Sequence, residues 1–175
     1  MQAGALSQDQ EEKWNGLAQH LGSGPSGQTQ IEIAISRWST EEEANALLQV
    51  LQQDGAKKLA DALDKEKETG FVRFPRVRTR FPSTRLSYAR QFTNGDKRTI
   101  IIATNRPIGF WEAVSQGRSM DYELTLIELH LDADGSGEGV LAVGAEISWD
   151  ADKNQIVVEN YSTAPVKLLN ITQSH

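Results

Sequence analysis

Apolar and polar positions alternate over much of the chain's second half, and turn residues interrupt them at short intervals. From Thr84 to Thr172 the alternation breaks at Asn94-Gly95-Asp96 and again at the run from Asp132 to Gly137. This pattern predicts an antiparallel sheet or barrel built by meandering. Ile31, Ile33 and Ile35 alternate with Glu32, Ala34 and Ser36 to give a first strand. Ser39 and Thr40 followed by three glutamates then predict a helix start, with Leu47, Leu48 and Leu51 as its apolar face and Gly55 as its end. A second helix follows through Leu59, Ala60 and Leu63.

Residues 7–21 read as an amphipathic helix. Ser7 and Gln10 have capping-box spacing, while Trp14, Leu17, Ala18 and Leu21 share one helical face. The run from Gly22 to Gly27 reads as a flexible connection. The expected organisation is therefore a helical arm and linker over 1–27 and one α+β domain over 28–175. That domain is a curled antiparallel sheet or barrel of seven to eight strands, with the helical pair after the first.

The sheet half supports finer expectations. A two-residue turn at Asn94-Gly95 sets Thr93 opposite Asp96, Arg90 opposite Thr99 and Tyr88 opposite Ile101. Arg90 then shares a row with Leu86, Tyr88 and Phe92, pointing toward the core, with Glu128, Glu146 or a bound anion as its expected partner. Strand 97–104 is apolar on both sides, which predicts a cover, most simply the helical pair. Leu124 and Leu126 alternate in one phase and Ile127, Leu129 and Leu131 in the other, predicting a bulge between Leu126 and Ile127. Leu141 to Trp149 reads as one strand, with two more around Ile156–Val158 and Val166–Leu168.

Composition narrows the chemistry. The chain has 175 residues, no cysteine and a net charge of −6. Thiol catalysis and cysteine-held metals are excluded, and no run of apolar residues is long enough for a spanning helix. Charge is uneven: residues 70–106 carry nine of the 18 Lys and Arg against one acid, a local +8. The acidic pI of about 5.1 argues against nucleic acid as the partner of that segment.

Three histidines, His20, His130 and His175, offer neither a triad with a Gly-x-Ser-x-Gly elbow nor a histidine metal site. The Asp132–Glu138 run starts like a calcium loop, but position twelve is Val143, so a hairpin turn is the simpler reading. No catalytic residue, metal or cofactor is expected. Arg76, Arg78 and Arg80 alternate with Val77 and Thr79, so an extended segment would project three guanidinium groups to one side. Such a row suits carboxylates, phosphates or sulfated sugars. The bland reading is an edge strand guarded by charge and proline, or pairing with the surplus acids of the helices.

The segment 104–121 is the longest non-periodic link of the sheet half and carries Phe110, Trp111 and Glu112. The string from Ala103 to Glu112, with Arg37-Trp38-Ser39-Thr40 and Val157-Val158-Glu159-Asn160-Tyr161, resembles a family of uncharacterised exported bacterial proteins. That resemblance covers residue 28 to the end and implies export behind a removed signal peptide, to the periplasm or the medium. The functional expectation is a non-enzymatic exported binding module for a small or polymeric anionic ligand. Its expected site is Arg76, Arg78, Arg80, Arg90 and Arg106 with Trp111 and Glu112. The rivals are an enzyme with a carboxylate acid, Glu112 or Glu128, at the barrel mouth, and an interaction module docking through the Trp14 helix or a sheet edge.

Overall fold

The computed structural model describes residues 10–20, 27–78, 83–106, 124–143, 145–150, 152, 155–161 and 166–174. Its N-terminal element is a strand, β1 (Glu12–His20), followed by β2 (Gln28–Ile35). Helices α1 (Glu41–Asp54) and α2 (Ala56–Lys65) come next, then β3 (Gly70–Arg73), β4 (Thr84–Leu86), β5 (Tyr88–Asn94) and β6 (Lys97–Thr104). The chain ends with β7 (Thr125–Leu131), β8 (Gly137–Val143), β9 (Ala145–Asp150), β10 (Gln155–Tyr161) and β11 (Val166–Ser174). Nine of these strands form one antiparallel sheet in the order β4-β3-β2-β1-β11-β8-β7-β6-β5, and β9 and β10 form a separate hairpin.

The sheet closes nearly into a barrel because its two edge strands are successive in the chain. Only Ser87 separates β4, which pairs with β3, from β5, which pairs with β6. The Ser87 amide donates to the Ala103 carbonyl at 3.1 Å, and that of Thr69 donates to Leu86 at 2.9 Å. Ser39 seals the seam further: its amide donates to the Ala89 carbonyl (2.9 Å), and its hydroxyl accepts from the Ala89 amide (3.1 Å). These contacts satisfy main-chain groups that an open edge would leave bare.

The barrel interior is filled. Trp14, Ile31, Ile33, Val72, Leu86, Ile100, Ile102, Ile127, Leu129, Leu141 and Leu168 are all buried in one cluster. A second cluster lies outside the wall, where Leu47 and Leu51 of α1 and Leu59 and Leu63 of α2 cover Ala103, Leu124 and Ala142. Strand β6 is thus covered along its inner face at Ile100 and Ile102, and on its outer face at Ala103, where the helices lie. The α1 start is held by a capping box: Thr40 Oγ1 accepts from the Glu43 amide and Glu43 Oε2 from the Thr40 amide.

Several expectations are corrected. The expected N-terminal helix is β1, paired regularly with β2 and also with β11. Glu12, Trp14, Gly16 and Ala18 occupy the inward positions. Gly16 sits where a Cβ would run into the Ile171 side chain, so the inward row lacks an apolar signal at its centre. The remaining Trp14 and Ala18, four apart, fit a helix as well as a strand. Residues 12–20 of the expected arm are therefore an integral part of the barrel, and Gly22 to Ser26 of the expected linker lie outside the described residues.

The β5–β6 turn consists of Gly95 and Asp96, with Asn94 opposite Lys97, and it slides the partner by two positions: Tyr88 faces Ala103 and Arg90 faces Ile101. Gly95 takes φ +62° at the first loop position, the conformation a II′ hairpin needs there. A slide of two keeps every side chain on its face. No bulge interrupts β7, whose pairing with both neighbours is continuous. Its two apolar phases are two buried faces, Ile127 and Leu129 inward and Leu124 and Leu126 beneath the helices. In the nine-stranded sheet a bulge lies instead in β11 at Asn170, a left-handed residue with φ +50°, between the Leu169 and Thr172 pairings. The single strand expected at 141–149 is two strands, β8 in the barrel and β9 in the hairpin. With β1, β3 and the separate β4 added, the strand count exceeds the seven to eight expected.

Candidate anion-binding arginines

The basic segment divides according to what each guanidinium meets. Arg73, the last residue of β3, pairs with Glu32 of β2 at 2.9 Å and lies over the Phe71 ring. Arg85 donates to the Glu66 carbonyl at the end of α2 and reaches Glu68 at 3.8 Å. Its main-chain carbonyl accepts from Thr104 Oγ1 at 2.8 Å. Arg106, just past β6, pairs with Asp64 of α2 at 3.2 Å, with both side chains about half exposed. Arg106 is thus paired by an acid of α2, and Arg85 is held by the segment just past that helix.

Arg90 does not point into the core. Its row, with Tyr88, Phe92 and Ile101, is the outer face of the barrel wall, and its Nη1 reaches the Ser39 carbonyl at 3.4 Å rather than Glu128. Inward positions on β5 are the odd ones, because Ser87 interrupts the strand and shifts the phase relative to Leu86. Glu128 is likewise on the outer face, exposed and paired with His130 at 2.9 Å. It is not an acid inside the barrel.

Arg98 is the guanidinium that does point inward. It forms two hydrogen bonds to the Glu12 carboxylate, at 2.8 and 3.0 Å, and lies 5.5 Å from the Trp14 ring centroid and 5.4 Å from that of Trp38. Its Nε donates to Gln91 at 2.6 Å, and Gln173 donates to Glu12 at 3.1 Å. Strands β1, β5, β6 and β11 converge on this group. Sequence reading counted Arg98 only as charge. The usable signal was parity, since Arg98 shares its phase with Ile100 and Ile102.

Arg76 and Arg78 differ from Arg73, Arg85, Arg98 and Arg106, which meet carboxylates. The chain leaves β3 at Arg73 and turns, with the Val77 amide donating to the Phe74 carbonyl at 3.1 Å. Phe74 is buried and Val77 packs against the barrel core. The described part of the expected extended row is therefore a turn anchored by Phe74 and Val77, with Arg76 and Arg78 exposed beside the anchors. Among the described residues Arg76 meets the neutral amide of Gln30, at 3.2 Å, and no acid. Among the described residues Arg78 has no acidic partner. Arg80, Trp111 and Glu112 lie outside the described residues. The candidate arginines accordingly occupy three places: Arg76 beside the start of β2, Arg90 beside Ser39 past its end, and Arg106 against α2.

No family model matches this chain, and no curated protein or solved structure is similar to it.

Among the described residues no group of three or more His, Asp and Glu side chains converges as a metal site. The Asp132–Ser136 run is a closed hairpin turn. Asp134 Oδ1 accepts from the Ser136 hydroxyl at 2.6 Å and from its amide at 3.0 Å, and these bonds hold the Asp134 carboxyl below its ordinary range. No helix among the described residues is long and apolar enough to cross a membrane.

Proposed function

We propose that the chain is a non-enzymatic binding module that takes an anionic ligand on the turn after β3, through Arg76 and Arg78. One observation carries this reading. Arg73, Arg85, Arg98 and Arg106 spend their charge on carboxylates of the same chain, whereas Arg76 and Arg78 meet none among the described residues. Two guanidinium forks on an exposed, anchored turn can each accept a sulfate, phosphate or carboxylate in bidentate geometry. Phe74 and Val77 fix the turn to the core, which lowers the ordering cost of binding.

The filled interior favours a polymeric ligand lying across the turn over a small one enclosed by the barrel. Arg80 follows two positions later and continues the basic run. Arg90 and Arg106, bound to Ser39 and Asp64, stand apart from this site. An exported location, periplasmic or secreted, belongs to the same proposal and is supported by the family resemblance alone.

The test is the affinity for dextran sulfate at moderate salt, comparing the protein with an Arg76→Gln/Arg78→Gln variant. The expected loss is about tenfold or more, equivalent to about 1.4 kcal/mol, with an unchanged circular dichroism spectrum. Unchanged affinity would overturn the proposal.

A further inference from the structure

The outer face of β5–β8 is covered by the helices at one end only. The register sets Tyr88, Ala103, Leu126 and Ala142 in a row beneath α1 and α2. The next row is Arg90, Ile101, Glu128 and Val140, and the one after it is Phe92, Thr99, His130 and Glu138. Phe92, at 51% exposure, and Val140, at 38%, are the exposed large apolar side chains among the described residues. Both stand on this one face, which no described helix covers here, with the partly buried Ile101 between them.

The charges on the face are placed symmetrically. Arg90 on β5 and Glu128 on β7 flank Ile101 on the intervening β6, each about 4.8 Å to its side. In the next row Phe92 and His130 flank Thr99 in the same way. A two-fold axis along the outer surface of β6 would exchange the flanking strands of two facing copies. It would lay Arg90 of one copy on Glu128 of the other, Ile101 on Ile101 and Phe92 on His130.

From this complementarity we infer that the uncovered face of β5–β7 is an isologous dimer interface whose occupant is a second copy of this chain. The outer wall of a barrel is convex, so contact centres on these three strands. The strands of the two copies would lie along one another, within the roughly 30° of aligned sheet packing. Each copy contributes the same patch, as a two-fold contact requires. The interface does not involve Arg76 or Arg78, so it stands independently of the binding proposal.

The test is sedimentation equilibrium of the full chain over a range of concentrations. Dimers are expected, and Phe92→Glu should raise the dissociation constant by about tenfold or more. Arg90→Glu and Glu128→Arg should each weaken the dimer, and the two together should restore it, since the swapped pair meets only across the axis. Circular dichroism establishes that each variant is folded. A wild-type chain that stays monomeric would overturn the inference, as would a dimer indifferent to Phe92→Glu. Single reversals that weaken the dimer without rescue in the double variant would overturn it equally.

Discussion

Arg98 and Glu12 meet fork to fork at one end of the barrel, through hydrogen bonds of 2.8 and 3.0 Å, with the guanidinium between the Trp14 and Trp38 rings. The pair joins β6 to β1 across the inside of the barrel, and Gln91 and Gln173 each add one hydrogen bond, to Arg98 and to Glu12 respectively. Both side chains are largely withdrawn from water, at 21% and 17% exposure, so removing one partner strands the other's charge. Arg98→Gln should cost about 2–3 kcal/mol of stability, read as a fall in the urea midpoint with an unchanged m-value. Arg98→Met with Glu12→Gln should cost less than the two single changes together, because no charge is left stranded.

The N-terminal segment should prove indispensable. Strand β1 pairs with β2 on one side and β11 on the other, and the Trp14 side chain is fully buried. Deleting residues 1–20 opens the barrel and uncovers the core, so cooperative thermal unfolding should disappear. Trp14→Ala alone should cost about 3–5 kcal/mol. A truncated chain that kept a sharp transition near the parent Tm would show that β1 is a dispensable arm.

Glu43 links the α1 cap to acid stability. Burial works to raise its pKa, but hydrogen bonds from Arg37 and the Thr40 amide, with the Arg37 charge, leave it below the ordinary glutamate value. A depressed folded-state pKa adds stability that is present above the unfolded value. It is lost as pH falls from that value through the lower folded one. Arg37→Gln should therefore narrow the stability gap to the parent as pH falls through the carboxylate range, with the largest gap near neutrality. Thr40→Ala should cost about 1 kcal/mol at neutral pH through loss of the cap. Urea denaturation at a series of pH values checks both.

How legible these features were in the sequence depended on whether one period spoke alone. Ile31, Ile33 and Ile35 alternate cleanly, and Thr40 with Glu43 carries its capping signal locally, so β2 and the α1 start could be read. β1 was obscured because its inward row holds Gly16, which the close approach of Ile171 requires. β7 showed two phases because two different layers cover it, and covering layers are a tertiary fact. Asn94-Gly95 marked a hairpin, but the positive φ of Gly95 at the first loop position set the register. Among the candidate arginines, the charge run was visible and its division was not. Whether a guanidinium meets Glu32, Asp64 or no acid depends on strands and helices far apart in sequence.

That division is tested most directly by following the arginine side-chain Nε–H resonances while inorganic pyrophosphate is added. Arg76 and Arg78 should shift and saturate together, while Arg73, Arg85 and Arg98, held by carboxylates and carbonyls of the same chain, stay in place. Equal, non-saturating shifts of all the arginines, or shifts that spare Arg76 and Arg78, would contradict it.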